Sequence, residues 1–149
     1  MFNKYNNNGG LTVLESSDDA AAFHMGTQYR MPTSAEIQEL TSGTTQTFID
    51  LDGNEYDKQY VYYNKPIESG KLKGVRFTSS NGNSIFIPAA GNCNESLLDE
   101  IGVGGGLWSS SLYDGSDDYA RLLYLYYNGN VYEFGNGRYF GLSVRGVQP

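Results

Sequence analysis

Nineteen glycines are dispersed along the 149 residues of this chain, and that dispersal limits the fold more than any other feature. A glycine inside a helix costs about 1 kcal/mol relative to alanine, so a bundle of long helices is excluded. What remains is a domain of short elements joined by many turns. The tyrosines agree: 13 of them against seven phenylalanines favour the pleated, half-buried surfaces of strands. The length suits one domain with a sizeable core.

Two short helices are expected first. Ser16 or Ser17 can cap a helix over 18–25, with Asp18 and Asp19 favourable at its positive start and Gly26 at its end. Thr33 and Glu36 read as a capping box opening a second helix over 34–41, which shows Ile37 and Leu40 on one face. Beyond Gly43 the texture is β. Strands are expected over 47–51, 59–64, 74–78, 84–88, 107–111, 119–127, 131–134 and 140–147. Asn81-Gly82 and Asn128-Gly129 mark hairpins. Residues 50–57 read as a turn at Asp52-Gly53. Residues 90–106 are left as a long loop with a helical turn at 97–100, and loops of that length are often functional. Residues 1–15 read as a flexible lead-in, because the Asn and Gly of 6–10 bury nothing. The layout is α+β, two N-terminal helices followed by short antiparallel strands.

A net charge of −7 excludes the basic footprint of a nucleic-acid binder and gives an anionic membrane surface nothing to attract. No apolar run reaches the roughly 18–20 residues of a membrane span, so membrane insertion is not expected. The first ten residues lack the apolar segment of a signal peptide, so either the chain is made in a cytoplasm or a natural leader lies outside it. Cys93 is the single cysteine and His24 the single histidine, which excludes an internal disulfide and a His/Cys zinc site. Asp114, Asp117 and Asp118 lie close together but match no EF-hand pattern, and a solvated acidic loop accounts for them. The Gly102–Gly106 run lacks the Lys-Ser/Thr of a phosphate loop. No cofactor is expected.

Four stretches occur in a telling order: RMPTSAEIQEL (30–40), GVRFTSSNGNSIFIPAAG (74–91), LWSSSLY (107–113) and RYFGLSVRGV (138–147). Together they resemble the Fibrobacter succinogenes major paralogous domain family and the similar variable proteins of diversity-generating retroelements in gut bacteria and their phages. The resemblance covers residues 16–147, within a single domain over 16–149. Members usually close on Gly-Phe-Ser-Val-Arg-Pro-Val; here Leu142 stands for the Phe and Gly146 for the Pro. The resemblance implies a C-type-lectin-like fold. For the retroelement members it implies a C-terminal region, here about 107–147, rewritten by adenine-directed mutagenesis to display a ligand-binding surface. Templates rich in Asn codons mutate mainly to Tyr, Asp, Ser, Gly, His and Asn, and residues 113–139 consist largely of such types. The implied setting is a phage tail tip or a bacterial cell surface, with a cell-surface protein or glycan as ligand. Oligomeric state stays open, homotrimers being common among tail-tip binders. RMPTSAE also resembles a stretch of the formylglycine-generating enzymes, which share that fold but depend on a cysteine pair that Cys93 alone cannot supply. A non-enzymatic role is therefore expected. The alternative is a constant surface or secreted adhesin or envelope domain of the same family, without diversification.

Tyrosine offers a large, stiff ring with a polar tip at low entropic cost, and antibody loops combine it with Ser, Gly and Asn for that reason. On this reading Tyr113, Tyr119, Tyr124, Tyr126, Tyr132 and Tyr139 anchor a ligand, and Asp114, Arg121, Glu133, Asn136 and Arg138 supply polar contacts. The competing reading makes the rings ordinary strand residues paired across a sheet. Alternation separates the two faces: with Leu123 and Leu125 inward, Tyr124 and Tyr126 face outward, and Arg121 falls inward unless a bulge intervenes. Trp108 and Ser109–Ser111 are expected to lock the scaffold, the hydroxyls bonding backbone. Arg145 is expected to pair with a carboxylate such as Glu36, and Arg30 to have a similar structural role.

Overall fold

The structure, a computed structural model, describes residues 4–148. It is α+β, with antiparallel strands predominating. Helix α1 (Ala20–Met25) is capped by Asp19 rather than by Ser16 or Ser17, its carboxylate accepting from the Ala21 and Ala22 amides at 2.8 and 3.1 Å. The same carboxylate accepts from Met31 N at 2.8 Å, so Asp19 is almost wholly buried as the knot between α1 and the Arg30 turn. Helix α2 (Ser34–Gly43) begins with the expected capping box, Thr33 and Glu36 each accepting from the other's backbone amide.

Strands β1 (Thr45–Asp50), β2 (Glu55–Asp57), β3 (Leu72–Thr78) and β4 (Ser84–Pro88) form a sheet in the order β2-β1-β3-β4. The turn expected at Asp52-Gly53 is present, Gly53 N bonding Asp50 O, and β2 continues from it. Residues 59–64, expected as a strand, are instead helix α3 (Lys58–Asn64). Asp57 caps its first amides and Lys65 ends it in the left-handed region. Val61 alone of the helix is buried, so a one-sided anchor decides the matter and not the β propensity of the surrounding tyrosines. The expected loop over 90–106 carries a small hairpin, β5 (Asn92–Asn94) with β6 (Leu97–Asp99), which replaces the helical turn expected at 97–100.

Strands β7 (Gly104–Leu112), β8 (Tyr119–Tyr126) and β9 (Val131–Gly137) make the third sheet, in that order. The β8–β9 turn is the expected one at Asn128-Gly129. Residues 140–147 do not form the expected continuous strand. They run across the domain through single bridges, Gly141 to Cys93, Ser143 to Leu107 and Val147 to Arg30. One core joins the two large sheets: Phe48, Val75, Phe77 and Ile87 from one meet Leu107, Leu123, Leu125 and Val131 from the other, with Ile37 of α2 and Val61 of α3.

The described part of the expected flexible lead-in, residues 4–15, lies against the domain, while 1–3 fall outside the described residues. Tyr5 is 8% exposed, its hydroxyl bonded to Asp18. Leu14 N bonds Ser110 O and Leu112 N bonds Thr12 O. One buried ring and an open strand edge hold a segment whose composition alone would not.

Candidate functional site

Register assigns each tyrosine to a face. Cross-strand partners share a face and neighbours along a strand alternate. Leu123 and Leu125 point into the core with Leu107 and Val131. Tyr124 therefore faces the other way, opposite Tyr132 on β9 and Gly106 on β7, with Leu122 opposite Phe134 and Trp108. On this outer face Tyr124 stacks on Tyr126 with centroids 5.8 Å apart, meets Tyr132 at 5.7 Å, and Tyr132 meets Phe134 edge-on at 6.0 Å. Tyr132 is 41% exposed and Phe134 51%.

These rings wall a cleft of about 390 Å³, within the size range of small-ligand sites. Its floor is Gly106 and Leu122. Phe140 and Leu142 of the C-terminal segment close one side, and Asn92, Asp99 and Glu100 of the β5–β6 hairpin close another. A side chain at Gly106 would come within 3.0 Å of Leu142, so glycine lets that segment lie down on the sheet. Glu100 sits in the left-handed region at φ 60° and accepts from Asn92 Nδ2 at 2.8 Å. Burial raises the pKa of the Tyr124 phenol well above its ordinary value, and the neighbouring Glu100 carboxylate, a hydrogen-bond partner, adds to it. Burial raises Tyr126 too, and Glu100 again adds to the effect. Both phenols stay neutral in ordinary buffers and keep their O–H donors.

The sequence-derived set divides. Tyr124, Tyr132 and Asn136 line the cleft, with Tyr126 stacked behind Tyr124. Arg121 and Glu133 lie on the opposite, core-side face. Arg121 donates to Glu133 at 2.8 Å and to Asp114 at 2.7 Å, and sits 4.8 Å over the Tyr113 ring. Glu133 also accepts from Ser34 Oγ of α2 at 3.0 Å, so this cluster binds the sheet to the helix. Tyr113 covers Gly135 and meets Tyr119 edge-on. Arg138 donates to the carbonyls of Tyr5 and Asp117, tying down the N-terminal segment. Tyr139 is exposed just beyond the strand end, its ring tilted against that of Phe140.

Other framework expectations divide too. Ser109 Oγ bonds Arg121 O and Ser110 Oγ bonds Pro32 O, as expected, where a bulge in β7 separates Trp108 from Leu112. The partner of Glu36 is Arg30, at 2.7 Å, and not Arg145, whose guanidinium reaches the Phe86 carbonyl. Phe134, Phe140, Leu142, Asn92, Asp99 and Glu100 were absent from the sequence-derived set. Only Phe134 carried a usable signal, two residues beyond Tyr132 on one strand.

A smaller cleft of about 220 Å³ lies near Trp108 under the N-terminal segment. Its charged groups are already engaged within the protein, Asp18 with Lys4 and Tyr5, Arg138 with backbone carbonyls. Searches against family models, curated proteins and solved structures return no match.

Proposed function

We propose that this protein is a non-enzymatic ligand-binding protein whose recognition surface is the outer face of the β7-β8-β9 sheet. The observation that carries the reading is the aromatic cleft: Tyr124, Tyr132 and Phe134 turn away from the core, and two of the three keep over two-fifths of their surface in water. Rings left exposed beside amide and carboxylate groups have the make-up of an adaptable binding face. The α+β architecture agrees with a C-type-lectin-like domain. The resemblance of residues 16–147 to retroelement variable proteins adds a diversified surface, displayed at a phage tail tip or on a bacterial cell, that meets a cell-surface protein or glycan.

The DNA downstream of the codon for Pro149 tests this. The proposal expects an imperfect repeat of the 108–147 coding stretch beside a reverse transcriptase gene, differing at adenines. It further expects the differing codons to include those of Tyr124, Tyr132 and Asn136 while sparing Leu123 and Leu125, which build the core. Absence of the repeat, with the same Tyr and Asn codons in independent isolates, would favour the constant adhesin or envelope domain.

A further inference from the structure

The cleft has a sign as well as a shape. Asp99 and Glu100 stand at its edge, and among the described residues no Lys, Arg or His lines it. Neither carboxylate forms an ion pair among the described residues, whereas Arg30, Arg76 and Arg121 each have a carboxylate partner elsewhere. The faces of Tyr and Phe rings carry negative quadrupole potential. Carboxylates and ring faces therefore act in one direction, favouring a positive charge set between them. A neutral sugar would use the rings and amides and gain little from the charge.

The surroundings indicate what carries that positive charge. The hairpin that supplies Asp99 and Glu100 also exposes Leu97 and Leu98, at 71% and 64%, with Ile101 beyond at 58%. Apolar side chains beside a polar cleft fit a protein surface, where a central anchor is ringed by water-excluding contacts. A planar guanidinium stacks on aromatic faces and donates in a fork to a carboxylate, which an ammonium cannot do.

We infer that the cleft receives an arginine side chain presented by a protein partner, its guanidinium lying against the Tyr124–Tyr132–Phe134 rings and donating to Glu100 and Asp99. This rests on the binding reading above and deepens it by choosing a protein over a glycan.

The test uses the full chain with 13C-labelled Tyr and Phe rings. The probes are a blocked tri-arginine peptide, its tri-citrulline counterpart, which keeps the planar shape and removes the charge, and methyl glycosides of common hexoses. Tri-arginine should move the Tyr124, Tyr132 and Phe134 resonances and bind about tenfold or more tightly than tri-citrulline. Glu100→Gln and, independently, the exposed Asp99→Asn should each weaken tri-arginine binding severalfold, with the remaining ring resonances in place as evidence of folding. Equal affinity for tri-citrulline, or shifts confined to rings outside the cleft such as Tyr60 and Tyr63, would overturn the inference. A glycoside that moves Tyr132 and Phe134 where tri-arginine does not would also overturn it, while leaving the cleft a binding site. Should neither variant nor probe affect the cleft rings while target-cell binding still requires Tyr132 and Phe134, the arginine assignment falls and the cleft stands. Target-cell binding indifferent to those two rings removes the binding reading itself.

Discussion

Arg121 points toward the core side of its sheet, where a lone guanidinium would be costly, and the structure surrounds it with Glu133, Asp114 and the Tyr113 ring. The Glu133 side chain keeps only 9% of its surface exposed. Glu133→Ala should therefore cost about 2–3 kcal/mol in a denaturant melt, since it removes the buried partner of a mostly buried cation and leaves it only the exposed Asp114. The double variant Arg121→Met, Glu133→Leu should recover much of that loss, because it removes both charges together. Strand alternation marks Arg121 as inward in the sequence, but its partner lies 12 residues away on another strand, beyond the reach of local pattern. Glu36 allows a second test at this scale. The Arg30 guanidinium holds its carboxyl down to about 2, against the opposing effect of burial, and Thr33 donors help. A carboxylate with a depressed pKa contributes stability above its ordinary value near 4.5 and loses it as pH falls through the lowered one. The stability gap between wild type and Glu36→Gln, largest near neutral pH, should thus close between pH 4.5 and about 2. A gap that stays constant over that window would remove the ion pair from the account.

At the level of elements, the capping box of α2 proved legible where periodicity did not. Thr33 and Glu36 announce α2 because a capping box is a local, reciprocal hydrogen-bond device. Helix α3 was hidden because Tyr60, Val61, Tyr62 and Tyr63 look like a strand, and only the core packing of Val61 shows which turn of chain is buried. The β5–β6 hairpin was hidden for a related reason: it is short, its β6 side chains are exposed, and no Asn-Gly pair marks its turn. Its position depends on Gly91, at φ 72°, where an added Cβ would fall 2.0 Å from the Asp99 carbonyl. Gly91→Ala should cost about 2 kcal/mol and displace Asp99 and Glu100, so ligand affinity should fall further than global stability explains. Binding measured well below the melting transition separates the two effects; unchanged affinity there would show that the hairpin does not build the cleft.

For the whole molecule, the division of labour between two sheet faces was the part of the site open to reading in advance. Leu123 and Leu125 alternate with Tyr124 and Tyr126, and a period of two is enough to send the rings outward. The cleft itself was not legible, since it needs the hairpin at 92–99 and the segment at 140–142 brought onto that face by long-range bridges from Cys93 to Gly141 and Leu107 to Ser143. Five of the eleven sequence-derived residues consequently make scaffold contacts: Tyr113, Asp114, Arg121, Glu133 and Arg138 hold the sheet, α2 and the N-terminal segment together. The measurement that bears most directly on the central claim pairs binding with melting. Labelled wild-type protein is presented to a panel of gut bacteria beside the double variant Tyr132→Ser, Phe134→Ser and the control Tyr63→Ser on α3. The account predicts that the cleft variant loses about tenfold or more in cell binding with a melting temperature within about 3 °C of wild type, and that the control binds normally. Cell binding that survives the cleft variant, or that disappears only in the control, would contradict it.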